Sequence, residues 1–240
     1  MKANQLILLS LFVCIVFLQT GCRRPISGEG ELIKESKDLE EFSKLSLNIP
    51  AHVSILVAES NSAVIVAQEN IVEHVEFKVK NNTLIIHSNR LLKTEKPIEI
   101  LITCSRLEGL EINGAGKIVI LNSYRTPKAN YTINGSGDIE AKVIAKDIKS
   151  KINGSGDLKL LGETQNHRIH INGSGDLKAL ELNSKTCDIN INGSGNANIA
   201  VSEKLEVSVV GSGDITYLGD PAIESNITGS GKIKKVKLAK

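Results

Sequence analysis

A chain of 240 residues with 41% hydrophobic content, 20 glycines and only 5 prolines can bury one core, which excludes a disordered or collagen-like polymer. Four Phe, three Tyr and no Trp exclude a conventional aromatic-rich core. A formal charge of +2, from 29 basic and 27 acidic residues interspersed along the chain, excludes a nucleic-acid binder held by phosphate neutralisation.

The first element is an address. Met1 to Gln5 supplies a short cationic start, and Leu6 to Leu18 is an apolar run interrupted only by Ser10, too short to span a bilayer. It ends in Leu18-Gln19-Thr20-Gly21-Cys22, which resembles the lipobox of bacterial lipoproteins, with Gln19 where Leu is usual. Residues 1–21 therefore read as a lipoprotein signal peptide, Cys22 as the acylated N-terminus, and residues 22–37 as the lipidated start and tether. The alternative is an ordinary cleaved signal with an incidental cysteine. Two or three acyl chains hold a protein durably, because each buried methylene contributes about 0.8 kcal/mol. Arg23-Arg24-Pro25 after the cysteine, rather than an acidic stretch, favours the periplasmic side of the outer membrane.

From residue 38 onward the chain reads as one domain. Residues 31 to 110 alternate apolar and polar positions, as in Val53-Ser-Ile55-Leu-Val57, Val75-Glu-Phe77-Lys-Val79 and Ile98-Glu-Ile100-Leu-Ile102, with corners suggested at Glu59-Ser-Asn-Ser62 and Lys80-Asn-Asn82. These are strands with one buried face.

A tetrad then recurs seven times: Asn113-Gly-Ala-Gly116, Asn134-Gly-Ser-Gly137, Asn153-Gly-Ser-Gly156, Asn172-Gly-Ser-Gly175, Asn192-Gly-Ser-Gly195, Val210-Gly-Ser-Gly213 and Thr228-Gly-Ser-Gly231. The steps are 21, 19, 19, 20, 18 and 18 residues, and the tetrads hold fourteen of the twenty glycines. A fixed period near 19 predicts a stacked array. An inward Ile or Val precedes each tetrad and an inward aliphatic residue stands two places after it, so the tetrad is a corner between two strands. Glycine on both sides of a small residue permits positive φ and leaves no Cβ to strike the corner above or below. Three short strands and three corners fill one period, which predicts an all-β, parallel β-helix with rungs of 18–21 residues about 4.8 Å apart. Asn134, Asn153, Asn172 and Asn192 then lie above one another as a structural ladder of side-chain amides. Val210 and Thr228 end it before the C-terminus.

The tetrads, led by Ile98-Glu-Ile100-Leu-Ile102-Thr-Cys-Ser-Arg-Leu107-Glu-Gly-Leu110-Glu-Ile112, make the chain resemble the putative auto-transporter adhesin head domain, or GIN, family over about residues 38 to 235. The resemblance implies a right-handed β-helix and a cell-envelope location, and the family occurs among lipoproteins of Bacteroidota-like bacteria. It brings no catalytic residues.

Other chemistry is weighed and set aside. Asp138, Asp157, Asp176 and Asp214 recur after the tetrad, but the calcium-binding β-roll uses a nonapeptide period, and Asn196 and Lys232 interrupt the column. Hydrogen bonding at corners explains these aspartates. His167 and His170 are three apart on a strand, hence on opposite faces, which argues against zinc. Gly-Ser-Gly is not the nucleophile elbow. No metal, cofactor or catalytic residue is assigned. The functional expectation is a lipid-anchored, non-catalytic binding or adhesion scaffold whose partners are the membrane and an unidentified envelope protein or glycan. The alternatives are a periplasmic sensing or regulatory ectodomain and a carbohydrate-active enzyme. Cys104 and Cys187 are expected about four rungs apart, too far for a disulfide.

Overall fold

Period-two alternation makes strands, and the glycine corners decide that successive strands run in the same direction. The computed structural model describes residues 24–237; Cys22 and the signal sequence lie outside them. The N-terminal half contains β1 (Ile26–Ser27), β2 (Leu32–Asp38), β3 (Lys44–Leu47), β4 (Ala51–Val57), β5 (Ser62–Gln68), a single helical turn α1 (Glu69–Val72), β6 (Val75–Lys80), β7 (Thr83–Ser88), β8 (Leu92–Lys93) and β9 (Ile98–Cys104). The tetrad half contains β10 (Gly109–Gly114), β11 (Lys117–Ile120), β12 (Tyr124–Gly135), β13 (Asp138–Gly154), β14 (Leu158–Gly173), β15 (Leu177–Gly193), β16 (Ala197–Gly211), β17 (Ile215–Leu218), β18 (Ala222–Gly229) and β19 (Ile233–Lys235). Together they form a β-solenoid of about seven turns.

In the tetrad half every pairing is parallel and the tetrads set the register. Asn113 pairs with Asn134, Asn134 with Asn153, Asn153 with Asn172, Asn172 with Asn192, and Asn192 with Val210. Ile112, Ile133, Ile152, Ile171, Ile191 and Val209 stack inside, each at most 1% exposed. Their partners beyond the corner, Ile118, Ile139, Leu158, Leu177, Ala197 and Ile215, are equally enclosed. Burying each such side chain contributes about 1.5–3 kcal/mol, so these two columns supply much of the core.

The unequal steps are absorbed away from the tetrads. The two extra residues of the 21-residue step lie around Leu121-Asn122-Ser123. There the Asn122 side chain accepts from the Val57 N–H at 3.0 Å and donates to the Val57 carbonyl at 2.9 Å, standing in for a strand neighbour. A register shift between Lys159 and Leu161, opposite Lys178 to Glu181, takes up the 20-residue step, and shifts between Ala179 and Asn183 and between Ser184 and Thr186 take up the 18-residue step.

The corner glycines play two different parts, where the sequence suggests one. The first of each pair has a positive φ, +130° at Gly154, while the second does not. A Cβ on Gly156 would instead stand 2.0 Å from the Gly137 carbonyl oxygen and 2.8 Å from the Ile133 side chain. From Gly135 onward the first glycine is required by backbone conformation and crowding together, at Gly114 by conformation alone, and the second of each pair by space alone.

The N-terminal half departs from the sequence expectation of continuous parallel rungs. β2 pairs antiparallel with β5, β5 with β9, and β6 with β7. The chain builds its first turn with β3 and β4, leaves at Val57, makes a layer beneath that turn with β7 and β9, and returns at Gly109 to stack β10 and β11 on the other side. Lys80-Asn-Asn82 is a hairpin turn and not a solenoid corner. Asn81 and Asn82, at φ 50° and 60°, give the two positive-φ positions of a tight reversal. The tether drawn over residues 22–37 is also too long. β1 and most of β2 lie within it, because the alternating Leu32–Asp38 segment has the free edge of β5 to pair with. Phe42, Ile71 and Val75 close this end of the core.

Among the described residues the other end is open. Ile223 continues the inward column of Leu205 but is 41% exposed, and Ile227 and Ile233 are only partly covered. Cys104 and Cys187 are free, buried thiols. Because β9 lies beneath β4, five strand steps separate β9 from β15, about 24 Å, one more than the sequence suggests. Burial raises the Cys104 pKa to about 11 and the Cys187 pKa further, so both are inert core residues.

Candidate functional site: a corner groove beside the side-chain ladders

The asparagine column is a continuous hydrogen-bonded ladder. Asn134 donates to Asn113 at 2.9 Å, Asn153 to Asn134 at 2.7 Å, Asn172 to Asn153 at 3.0 Å and Asn192 to Asn172 at 3.1 Å. It begins earlier than the tetrads, since Asn113 donates to Asn48 at 2.7 Å. Asn48 sits in Leu47-Asn48-Ile49-Pro50, a corner without glycine and 65 residues away from its partner, so no repeat signal marks it. Val210 ends the column with its side chain 54% exposed.

The post-tetrad acids form a second ladder of another kind. Asp138 Oδ1 accepts the Asp157 N–H at 3.1 Å, Asp176 Oδ1 accepts the Asn196 N–H at 2.9 Å, and Asp214 Oδ1 accepts the Lys232 N–H at 2.9 Å. Asn196 takes an aspartate place because its Oδ1 accepts the Asp214 N–H at 3.0 Å. Each acid is thus committed to the corner of the next turn. Lys178 bridges to Asp157 at 2.5 Å, and that hydrogen bond raises the Lys178 pKa.

His167 and His170 point in opposite directions. His167 is in the core, where its Nε2 meets Ser150 Oγ at 2.8 Å and burial lowers its pKa to about 3. It is a neutral packing residue. His170 is outward, beside Lys149, Lys151 and Arg168, and its pKa is lowered by partial burial. Tyr124 and Tyr131 share a buried hydroxyl contact of 2.7 Å in the core, and burial raises both pKa values.

A concavity lies elsewhere, at a second corner six to ten residues past the tetrads. There the chain bends around a floor of small residues, Thr126, Ala145, Thr164, Ser184 and Val201, which stack in register and are all nearly buried. Thr164 Oγ1 donates to the Lys146 and Asn166 carbonyls at 3.1 and 3.2 Å, and Ser184 Oγ donates to the Ala200 carbonyl at 2.5 Å. These bonds satisfy carbonyls where the turning backbone leaves its ladder, and small side chains are what let it pinch inward.

The result is a groove of about 950 Å³ running along the solenoid axis. One wall follows the register Arg125, Ile144, Glu163, Asn183, Ala200 and Leu218, and the other includes Pro127, Lys146 and Lys185. Six levels at about 4.8 Å make it roughly 24 Å long. Three cations face it against the single acid Glu163. Lys185 makes a loose, exposed contact with Glu203 at 3.4 Å, and Arg125 and Lys146 make no ion pair among the described residues. Beyond the second wall runs a polar ridge in which Asn166 donates to Asp147 at 2.8 Å and Thr186 to Asn166 at 2.9 Å. Sequence reasoning predicted three corners per turn but did not locate this one. Its only mark is a small residue at a variable distance, six to ten positions, past the tetrads, a signal far weaker than Gly-Ser-Gly.

Comparison with known proteins agrees with this repeat geometry. The family model described as putative auto-transporter adhesin, head GIN domain, matches residues 41–221. The chain belongs to this family. A putative adhesin from Bacteroides fragilis is similar, with 26% identity, a TM-score of 0.82, and coverage of 88% of this chain and 100% of that one. A protein described as a putative lipid binding protein, from Parabacteroides distasonis, is 22% identical with a TM-score of 0.75, covering 89% and 100%. A putative adhesin from Parabacteroides merdae is 18% identical with a TM-score of 0.67, covering 88% and 99%; these last two likenesses show the fold alone. No functionally curated protein matches the chain. For this GIN-family chain, the ladders are the architecture and the corner groove is a concavity that they do not fill.

Proposed function

We propose that the chain is a lipid-anchored envelope protein that acts as a non-catalytic binding scaffold, held through Cys22 and presenting the second-corner groove to an extended ligand. The observation that carries this reading is the groove's form: about 24 Å of small-residue floor between walls that repeat once per turn, with Arg125, Lys146 and Lys185 spaced along it. Such a site favours a ligand that also repeats along one axis, such as an acidic glycan or an extended acidic segment of an envelope partner. The family's adhesin description supports an envelope or cell-surface location.

Binding of defined acidic oligosaccharides and of an extended poly-glutamate peptide to the purified protein, followed by calorimetry, tests it. Saturable binding that weakens at least tenfold in Arg125→Ser/Lys146→Ser/Lys185→Ser, with the probe recovered intact by chromatography, is the expected outcome. Cleaved probe would overturn the non-catalytic reading. The apolar floor and wall residues Ala145, Ile144, Val201 and Leu218 favour a second reading, an acyl-chain ligand, in keeping with the lipid-binding description of the P. distasonis protein. Displacement of a fluorescent fatty acid from wild type, but not from Ala145→Trp, would select it.

A further inference from the structure

The capped end of the solenoid carries a surface that the core and the ladders do not use. Leu91 is 68% exposed, more than any other large hydrophobic residue described, and Leu32 nearby in the cap is 48% exposed. The start of the described chain is fastened to this place. The Ile26 N–H donates to the Leu91 carbonyl at 2.8 Å, Ser27 pairs with Lys93, and Arg90 Nη2 donates to the Arg24 carbonyl at 3.3 Å. Asn70 secures the next residues, donating to the Ser27 carbonyl at 2.7 Å and accepting from the Glu29 N–H at 2.9 Å.

Cys22 stands four residues before Ile26 in the sequence. An extended chain covers at most about 3.6 Å per residue, so these two residues are no more than about 14 Å apart. The polar zone of a bilayer leaflet is itself about 5–8 Å deep. A cysteine acylated at that depth brings the Leu91 face to the headgroups, with no room for a long spacer. The chemistry of the face suits that position: one protruding leucine between exposed Lys93 and half-buried Arg90, whose Nε is enclosed while its Nη2 holds the Arg24 carbonyl, with exposed Arg24 alongside; none of the three is ion-paired among the described residues. Glu29 and Glu95 are the acids in the same segments, and both are exposed. An apolar side chain flanked by cations is the composition of an interfacial contact with anionic phospholipid.

We propose that the cap face formed by Arg24, Arg90, Leu91 and Lys93 rests on the bilayer surface and stands the solenoid on its capped end, a placement that rests on acylation of Cys22. The open end then points away from the membrane. Eight strand steps from β7 to β18 put the last turn roughly 38 Å beyond the β7 layer, and the groove begins about 14 Å beyond that layer, at β12.

The test uses the full chain, processed in a Gram-negative host, checked by intact mass, and reconstituted in phosphatidylethanolamine–phosphatidylglycerol vesicles. A fluorophore on Leu91→Cys is compared with one on Ile223→Cys at the open end, the native Cys104 and Cys187 being buried. Quenching by spin-labelled lipid at least threefold stronger at 91 than at 223, and reduced at least twofold by Arg24→Ser/Arg90→Ser/Lys93→Ser, supports the proposal. Equal quenching in protein that carries the lipid mass overturns the resting face while leaving the anchor in place. If the lipid mass is absent, the anchor reading fails, and the face is judged on the Cys22→Ser chain held by an N-terminal histidine tag on nickel-chelating vesicles. There the same difference supports the face and its absence overturns it. A detergent-solubilised dimer that Leu91→Asp dissolves would assign the face to a second copy and also overturn it.

Discussion

The tetrad half and the N-terminal half share one alternating pattern and one core, yet one is an all-parallel ladder and the other folds back on itself three times. The difference lies in the punctuation. Between β12 and β18 each turn passes through a Gly-Ser-Gly corner whose Cα atoms stack directly, so the chain must advance by one rung per turn. Between Val57 and Gly109 the punctuation is Glu59-Ser-Asn-Ser62 and Lys80-Asn-Asn82, which turn the chain back. The first arrangement propagates and the second terminates. A solenoid has unpaired edges at both ends, and here antiparallel strands and Phe42, Ile71 and Val75 close one of them while β18 and β19 leave the other open.

Breaking the propagating half should have the largest effect. A Cβ on Gly154 would stand 2.2 Å from the Gly135 carbonyl oxygen, at φ +130°, and Gly173 is matched to Gly154 in the same way. Gly154→Val or Gly173→Val is therefore expected to cost about 3 kcal/mol or more, lowering Tm by roughly 6–12 °C in a calorimetric scan. Lys178→Val removes an exposed ion pair and should cost no more than about 1 kcal/mol. Equal shifts at both sites would refute the stacked-corner account.

Acid should weaken the tetrad half through His167. Its pKa in the folded chain is lowered to about 3 by burial, against about 6.5 when unfolded. The unfolded state therefore takes up the proton first. This contribution is intact above pH 6.5 and is lost as the pH falls toward 3, at about 1.4 kcal/mol per unit. Near pH 4.5 the loss is about 3 kcal/mol. In denaturant titrations, His167→Leu should show a correspondingly shallower pH slope than wild type over that window.

The asparagine ladder should respond by position. Asn153→Ala removes two ladder hydrogen bonds and should cost about 1–2 kcal/mol, while Asn192→Ala at the ladder's end removes one and should cost about half as much. Identical costs would mean that the ladder is decoration on an otherwise self-sufficient corner.

At the open end, Lys234, Lys235 and Lys237 make edge-to-edge stacking electrostatically costly. Lys235 is paired with Asp220, but Lys234 and Lys237 are exposed. Replacing all three with Ser in the lipid-free chain should increase salt-insensitive oligomers by light scattering. A monomer that instead loses affinity for anionic vesicles would reassign the lysines to membrane contact. The smallest effect is expected in the terminating half. Asn81→Gly in the Lys80-to-Thr83 hairpin should be neutral or stabilise by up to about 1 kcal/mol, since positive φ is needed there without the stacked carbonyl that forbids a side chain at Gly154.

The sequence by itself determined the all-β class, the rung length, the stacking of corners and the asparagine and aspartate columns. These features follow from glycine spacing and alternation, which are local and periodic. It did not determine strand direction before Gly109, because alternation reports which face is buried and not which way a strand runs. Nor did it show that Leu32–Asp38 belongs to the sheet, or that Asn48 begins the ladder. Both depend on a neighbour far away in the chain, β5 in one case and Asn113 in the other. Only the tertiary structure placed the second corner groove, since Thr126, Ala145, Thr164, Ser184 and Val201 have nothing in common but size until stacking sets them one above another. The cap face is a consequence of the same kind. Leu91 and Ile26 are 65 residues apart in sequence, and a single parallel pairing, β1 with β8, brings the start of the chain and an exposed leucine to the same end of the solenoid.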